Sequence, residues 1–356
     1  MKAGRTLQAL AVEIRRQAET KRDFLADTRE LTLLNGSELH VGSQGEFALR
    51  PLAHDQIADH LEIPRRYYER LRSGHPGLLD ANVNGLLRAI SSRRLVRTLD
   101  GQARAYLSDR YRRLDNDELA EAVLPVLGDI PGLEVVSCEI TESRLYLKAT
   151  TARVVGEVKK GDQVQAGVLI SNSEVGQGSL LVQPLVYRLV CLNGMIAGDS
   201  VRRYHVGRQI DCDDALGVYR DETLIADDRA FWLKVRDVVR AAVSEVRFSA
   251  LLQQLRLSSE GPRLERPQLG VEELGRRFQL SEGERDSVLR HLIEGGDLSQ
   301  YGVLNAVTRA SQDVPDYTRA TELEALGGTV LAMDGPQWRT VAEARPPIPA
   351  PKEVSR

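Results

Sequence analysis

The chain has 356 residues, of which 42% are hydrophobic and 28% are charged, and its formal net charge is -3. This balance is typical of a protein with a sizeable core, so it excludes disorder throughout the chain. The length predicts two or three domains, or one large domain with appendages. No apolar run approaches the roughly 18 residues of a membrane span. The residues after Met1 do not form the apolar core of a signal peptide. We therefore expect a cytoplasmic protein without a membrane partner.

Positive and negative charges are distributed unevenly along the chain. Residues 1–115 contain 20 Lys and Arg against 15 Asp and Glu, a net of +5, which leaves a net of -8 for residues 116–356. Arginine supplies nearly all of the positive charge, since only seven lysines occur. The placement of the arginines is therefore more informative about partners than the total charge.

The N-terminal region, residues 1–79, is predicted to combine helices with one hairpin. Apolar residues recur near helical spacing through residues 1–31, which predicts one amphipathic helix. The Asn-Gly-Ser sequence of residues 35–37 stops this helix. Loose alternation over residues 38–49 predicts a short β-hairpin.

Residues 51–72 predict two consecutive helices, the second of which begins at Pro64, where the missing N–H costs nothing. The spacing resembles a helix-turn-helix, whose second helix can enter a major groove of DNA. In that interpretation the side chains facing DNA would be Arg65, Arg66, Tyr68 and Arg70. The favoured alternative is a structural helical hairpin, because any antiparallel helix pair gives a similar pattern.

The strongest concentration of arginine opens the central region, residues 80–220. Residues 93–107 predict a β-hairpin that turns at Asp100-Gly101 and places several arginines on one face. Guanidinium groups bind phosphates bidentately, and aromatic rings stack on unpaired bases. The residues predicted to contact nucleic acid are Arg88, Arg93, Arg94, Arg97, Arg104, Tyr106, Arg110, Tyr111, Arg112 and Arg113. The alternative is a solvated face whose arginines pair with the acidic surplus further along the chain.

The rest of the central region predicts one helix followed by strands. Asn116 is a plausible N-cap for a helix that carries apolar residues from Leu119 to Leu127. The predicted strands after it cover residues 134–140, 144–149, 165–171 and 179–191. A helix followed by strands, without regular βαβ alternation, predicts an α+β fold with a mainly antiparallel central sheet.

The C-terminal region, residues 221–340, is predicted to be helical. Apolar residues at three- and four-residue steps predict one long helix over residues 221–257. After a linker, the predicted helices cover residues 271–278, 281–295 and 298–311, and the second has a capping box at Ser281. Proline-rich residues 341–356 predict a disordered tail.

The chain lacks the sequence patterns of common enzyme sites. It has no phosphate-binding P-loop, no nucleophile elbow, and no histidine or cysteine spacing typical of a metal site. We therefore predict no catalytic residue, no metal and no cofactor. Asp211, Asp213 and Asp214 could hold Mg²⁺, as in a metal-dependent nuclease, but a solvated or capping cluster is the favoured interpretation.

Four separated segments of the chain, in the same order, resemble a known family. They are residues 106–116, 167–176, 189–195 and 301–308. They are similar to the phage- and plasmid-borne proteins that carry the domain of unknown function 932. The resemblance implies a context of phage or plasmid DNA metabolism and transfers no specific activity.

Polar side chains follow two of the predicted central strands. Asn172, Ser173 and Glu174 end one strand, and Asn193 follows the apolar segment 185–192. If these strands are neighbours, the two polar turns would lie at one rim of the sheet and could form a groove with the arginine-rich hairpin. The alternative, favoured for Asn193, is that such side chains satisfy the backbone of tight turns.

We expect a nucleic-acid-binding accessory protein of a mobile element, which contacts single-stranded DNA in replication or recombination. An annealing or mediator role would suit an oligomer. The alternative is a protein-interaction or regulatory factor that counters host defence through the helices of residues 221–310, without binding nucleic acid.

Overall fold

The computed structural model describes residues 1–111, 113–198 and 221–346. Within these ranges the chain forms helices and two β-sheets, which confirms the α+β class. The first helix, α1 (Leu7–Thr20), is shorter than the helix predicted over residues 1–31. The following residues form a strand instead, and Phe24 pairs with Val96 of a distant strand. A pairing partner some 70 residues away overrides the local helical pattern.

Sheet 1 has six strands. They are β1 (Arg22–Asp27), β2 (Leu31–Leu34), β3 (Glu38–Val41), β4 (Gly45–Leu49), β5 (Arg93–Leu99) and β6 (Gln102–Ser108). Their order is β1-β5-β6-β4-β3-β2, and the β4–β6 pair is parallel while the other pairs are antiparallel. The sheet therefore takes strands from both sides of the domain boundary that we predicted between residues 79 and 80.

Three helices connect β4 to β5 and cover one face of sheet 1. They are α2 (Pro51–His60), α3 (Arg65–Gly74) and α4 (Pro76–Ala89). Ile57, Leu71 and Val83, one from each helix, are buried with Leu39 and Val96 of the sheet. The predicted pair of helices over residues 51–72 is confirmed. The two helices pack on sheet 1, in agreement with the structural helical hairpin that we favoured over a DNA-reading helix-turn-helix.

Sheet 2 has five antiparallel strands and is preceded by the helix α5 (Asn116–Asp129). The strands are β7 (Leu133–Ile140), β8 (Leu145–Glu157), β9 (Gln163–Asn172), β10 (Leu181–Arg188) and β11 (Asn193–Ile196). Their order is β11-β10-β9-β8-β7. The segment predicted as one strand over residues 179–191 therefore ends at Arg188, and a turn leads into β11.

Helices cover both faces of sheet 2. Leu10 of α1 and Val126 of α5 pack with Leu147 and Ile170 on one face. The same core includes the helix α6 (Asp221–Ala242). On the other face Tyr146 packs against Tyr317, which opens a later helix. Sheet 2 therefore forms the middle layer of this part of the molecule.

The C-terminal region consists of helices, as predicted, although the long helix over residues 221–257 is divided. Ser244 has an extended backbone conformation and separates α6 from α7 (Glu245–Glu260). The following helices are α8 (Pro267–Phe278), α9 (Glu282–Gly295), α10 (Gln300–Ala310), α11 (Tyr317–Leu331) and α12 (Gly335–Ala342). The capping box of Ser281 and Glu284 at the start of α9 is confirmed. Residues 347–356 of the predicted tail lie outside the described residues.

None of the helices in the described ranges combines the length and the apolar character that crossing a lipid bilayer requires.

Candidate nucleic-acid interface and the buried ion network

The arginines predicted to contact nucleic acid divide into two groups. Arg88, Arg93, Arg110 and Arg113 are exposed, and Arg94 is half-buried. Arg97 has 0% exposed surface and Arg104 has 5%. The expectation that Arg97 and Arg104 lie on an accessible face is therefore wrong. Arg112 lies outside the described residues.

Arg97 is held by three segments that are distant in sequence. Its Nε donates to Asp23 Oδ1 at 2.9 Å, and its Nη2 donates to Asp115 Oδ1 at 2.6 Å. Its Nη1 donates to the backbone oxygen of Glu174 at 2.9 Å. These bonds join β5 to β1, to the N-cap of α5 and to the loop after β9. Each of the three guanidinium nitrogens therefore has a partner inside the protein.

Arg104 and the carboxylate of Glu174 form a second buried ion pair, at 2.8 Å, with each side chain 5% exposed. The other carboxylate oxygen of Glu174 accepts a bond from the backbone N–H of Asn116 at 2.8 Å. Asn172 donates to the side chain of Asn116 and to the backbone oxygen of Leu114. The polar segment of residues 172–174 therefore contacts the arginine-rich hairpin, as expected. The contact is buried between the two sheets and does not form an open groove.

Lys21 completes what we call the junction network, which comprises Lys21, Asp23, Arg97, Arg104, Asp115, Asp117 and Glu174. Its Nζ lies 2.7 Å from Asp115 Oδ2 and 2.6 Å from Asp117 Oδ1. Burial of the Asp115 carboxyl opposes its ionisation. The charges and hydrogen bonds of Arg97 and Lys21 outweigh burial, so the pKa of Asp115 is lowered.

Carboxylate oxygens of Asp115, Asp117 and Glu174 lie within 4.8 Å of one another, a spacing that could suit a metal ion. Lys21 bonds to two of these carboxylates, and Arg104 bonds to the third. Because ammonium and guanidinium groups already neutralise them, the cluster is explained by ion pairs within the protein. The other acidic cluster, Asp211, Asp213 and Asp214, lies outside the described residues.

Neither tyrosine predicted to stack on bases presents an open ring. Tyr106 is 3% exposed, and its hydroxyl lies 3.0 Å from Nδ1 of His60. Arg94 stacks over its ring at 5.5 Å. Tyr111 is half-buried and donates to the backbone oxygen of Ser173 at 2.8 Å. Burial raises the pKa of both phenols. Tyr106 therefore packs within sheet 1 and its helices, and Tyr111 connects the loop after β6 to the loop after β9.

Helix α3 also buries a tyrosine that we predicted to face DNA. Tyr68 is 1% exposed and its hydroxyl lies 2.9 Å from Nδ1 of His54, so it faces the core. Tyr67 is 45% exposed, and Arg66 and Arg70 are exposed beside it. An exposed tyrosine was therefore predicted correctly for this helix, but the exposed residue is Tyr67 and not Tyr68.

The exposed arginines gather at one end of sheet 1. Arg93 opens β5, and β6 ends two residues before Arg110, so the antiparallel pairing brings these ends together. Arg88 lies in the last turn of α4, five residues before Arg93. None of the three has a carboxylate partner among the described residues, and we call them the arginine patch. Arg113 lies outside this patch, 3.5 Å from Asp23.

Asn193 lies at the opposite end of sheet 2 from the polar segment of residues 172–174. Because β9 and β10 are antiparallel, Ser171 pairs with Leu181, whereas Val164 pairs with Arg188, just before the turn to Asn193. The expectation of one shared rim is therefore wrong. All four residues predicted for that rim, Asn172, Ser173, Glu174 and Asn193, are buried. Sequence reasoning also missed Asp23 and Asp115, the carboxylate partners of Arg97, and Lys21, which bonds to Asp115 and Asp117.

The model of the domain of unknown function 932 (DUF932) matches residues 105–330. Since this match covers more than half of the chain, the protein belongs to that family, and the resemblance in the four segments is confirmed. Neither the curated proteins nor the solved structures provide a match to the chain.

Proposed function

We propose that the protein binds single-stranded nucleic acid, foremost DNA, as an accessory factor in the replication or recombination of a mobile element. The observation that carries the proposal is the arginine patch. Arg88, Arg93 and Arg110 are exposed at one end of sheet 1 and have no carboxylate partner in the described part of the chain. Charged groups that are not neutralised within the protein are available to the phosphates of a strand.

The proposal assigns the phosphate contacts to the patch and not to the junction network. Arg97 and Arg104 bind carboxylates in the interior, and breaking such pairs would leave buried charges uncompensated. Arg94 lies at the same end of β5 as the patch and is half-buried against Tyr106. It contributes positive charge at the inner edge of this surface.

The preference for a single strand rests on helix α3. Tyr67 is exposed, and a base on an unpaired strand can stack on such a ring. The helix begins five residues after His60, whose Nε2 lies 3.5 Å from the hydroxyl of Ser92, next to Arg93 in the chain. Arg66 and Arg70 extend the positive charge along the same helix. The family resemblance to phage- and plasmid-borne proteins supports the mobile-element context.

The test is a salt series of fluorescence anisotropy with labelled single- and double-stranded oligonucleotides. In the variant Arg88→Gln/Arg93→Gln/Arg110→Gln we expect affinity for the single strand to fall at least tenfold at about 50 mM salt. Log K decreases with log salt, and each lost phosphate contact makes this slope shallower by about 0.7. In the triple variant the slope should therefore be shallower by about 2.

The matched control removes three exposed arginines from other surfaces, in the variant Arg153→Gln/Arg266→Gln/Arg339→Gln. Both variants have the same net charge, so only the position of the lost charge differs. Equal affinity in the two variants, or wild-type binding that salt does not weaken, would contradict the proposal. A nuclease-resistant complex with a host protein, in a chain that binds no oligonucleotide, would favour the protein-interaction alternative.

A further inference from the structure

A cleft of about 680 Å³ lies between one end of sheet 2 and the helices α9 and α10, away from sheet 1. Its basic side chains are Lys159, Lys160, Arg188 and Arg309, and we call it the basic cleft. The volume falls within the roughly 300–1,000 Å³ typical of small-molecule sites. Two of the four segments that resemble the family, residues 189–195 and 301–308, contribute to its wall.

The floor of the cleft is a network around Tyr301, which is 2% exposed. Arg188 makes two bonds to the carboxylate of Asp162, at 2.7 and 2.8 Å, and its guanidinium lies over the Tyr301 ring at 5.7 Å. The Tyr301 hydroxyl donates to Asp162 at 2.8 Å. These mutual contacts fix the side chains before any ligand arrives, which lowers the entropic cost of binding.

Lys159 is fixed from the other side. Its Nζ lies 2.7 Å from Asp297 Oδ2 and 5.6 Å from the centre of the Tyr301 ring. The charges of Lys159 and Arg188 are therefore compensated by Asp297 and Asp162. Neither of these two ion pairs leaves a free charge for a ligand. The two pairs contribute to the shape and the rigidity of the cleft.

Two further cations in the lining have no carboxylate partner in the ranges that the structure describes. Lys160 is exposed, and Arg309 donates through Nη1 to the backbone oxygen of Cys191 at 2.5 Å. The remaining lining carboxylate, Glu294, is bonded to His291 at the rim. The cleft therefore presents two cations without a carboxylate partner above a neutralised floor, and its four basic and three acidic side chains leave a net charge of +1.

The turn that carries Cys191 is anchored to α10, so the second cation has a defined position. Asn193 is 2% exposed and donates to the hydroxyl of Thr308 at 2.6 Å. Gln312 also bonds to the backbone oxygen of Cys191, at 3.3 Å. Two chain segments more than 100 residues apart are thus joined at the wall beside Arg309.

We infer that the basic cleft binds a small organic phosphate monoester. A phosphate monoester carries a charge between about -1.5 and -2 at pH 7 and three strong acceptor oxygens, which suit two cations that no carboxylate holds. A monocarboxylate carries one negative charge and two oxygens, so it would engage the two cations less strongly. Lysine and arginine are the side chains that commonly bind phosphate. The same chemical group could come from a free nucleotide or from the 5′-phosphate of a strand, and the experiment separates these sources.

The test is calorimetric titration of the full chain with dAMP, ribose 5-phosphate and inorganic phosphate. Deoxyadenosine and succinate are the comparison ligands, because the first lacks the phosphate and the second carries two carboxylates. We expect at least one organic phosphate to bind with a Kd below about 1 mM and at least tenfold more tightly than both comparison ligands. Failure of all three phosphate probes to bind, or equal binding of succinate, would overturn the inference.

The site is assigned by the variant Lys160→Ala, because Lys160 is exposed and makes no bond that the fold requires. We expect it to weaken phosphate binding at least fivefold. Lys234→Ala, which removes an exposed lysine from α6, should leave binding unchanged. Equal loss in both variants, or none in either, would contradict the assignment to this cleft.

A second arm compares 5′-phosphorylated with 5′-hydroxyl oligonucleotides. If the phosphorylated strand binds more tightly and this gain depends on Lys160, the source of the phosphate is a strand end. If the two strands bind equally, the source is a free small molecule. The triple arginine-patch variant should retain dAMP or ribose 5-phosphate binding. Failure of nucleic-acid binding at the patch can therefore be distinguished from failure of the basic cleft.

Discussion

His54 illustrates how the core of sheet 1 holds a titratable side chain in its neutral form. The residue is 1% exposed, between α2 and α3, and its Nδ1 lies 2.9 Å from the Tyr68 hydroxyl. Burial, helped by the charge of Arg72, lowers the pKa of His54 to about 4. The neutral ring is therefore part of the folded state throughout the physiological range of pH.

At the scale of this residue, we expect stability to fall as the pH decreases from about 6.5 to about 4. The unfolded chain takes up a proton at the ordinary histidine pKa, and the folded chain resists protonation until the pH approaches 4. Between pH 7 and pH 5 the wild-type chain should lose about 2 kcal/mol more unfolding free energy than His54→Gln, measured by urea denaturation. The exposed control, His75→Gln, should retain the wild-type dependence. A wild-type slope in His54→Gln would refute this role.

At the scale of elements, the β5–β6 hairpin shows what the sequence predicts well. The turn at Asp100 and Gly101 has positive φ at both residues, 52° and 75°, as the Asp-Gly pair indicates. Asp100 also accepts bonds from Arg16 and Thr20, which attach the turn to α1. The backbone conformation at this turn, more than packing, therefore restricts which residues it tolerates.

Two glycine substitutions should consequently have opposite effects. Gly101→Ala meets no atom within 4 Å but must adopt a φ of +75°, so we expect it to destabilise the fold by about 1 kcal/mol. Gly85 lies inside α4, also in open space, and Gly85→Ala should stabilise the fold by about 0.5–1 kcal/mol. Chemical denaturation measures both. The same sign for the two variants would show that backbone conformation does not determine the outcome.

At the scale of the whole molecule, the junction network connects the two sheets. Arg97 and Arg104 belong to sheet 1, Asp115 is the N-cap of α5, and Glu174 follows β9 of sheet 2. Gln56 adds a neutral connection, since its side chain donates to the backbone oxygen of Val175 at 2.8 Å. Charges drawn from the basic and acidic parts of the chain therefore meet in the interior.

Loss of Arg97 should therefore weaken the whole molecule and not only one strand. In Arg97→Met the carboxylates of Asp23 and Asp115 lose their buried partner, so we expect a cost of about 3–5 kcal/mol in urea unfolding. Arg93→Met, on the exposed end of the same strand, should change stability by less than about 0.5 kcal/mol. Similar costs for the two variants would mean that the junction network contributes little.

Local patterns predicted the helices of residues 51–72, the capping box at Ser281 and the turn at Asp100, because each depends on neighbours in the chain. They could not predict which arginines are buried. Alternation shows that Arg93 and Arg97 share a face of β5, but it does not show where the loops after residues 110 and 172 cover that face. The strand at residues 22–27 was missed for the same reason, since its partner is β5.

The candidate sites depend even more on distant residues. The basic cleft combines Lys160, Arg188 and Arg309, and no local motif connects them. Its charge balance depends on Asp162, which pairs with Arg188, and on Asp297, which pairs with Lys159. The arginine patch was easier to predict, because Arg88, Arg93 and Arg110 lie within one helix–hairpin segment.

The start of the family match has a consequence for how this chain can be divided. Residue 105 lies inside β6, so the matched segment begins partway along a strand of sheet 1. A fragment that begins there would lose Arg97 and Arg104 but keep Glu174, whose buried carboxylate pairs with Arg104 and whose backbone oxygen accepts a bond from Arg97. A cut at the other end of the match, after residue 330, would also remove Trp338, which is 2% exposed and bonds to the backbone of Pro262. The matched segment therefore does not include all the partners of its own buried groups, and we expect residues 105–330 of this chain to need both flanks to fold.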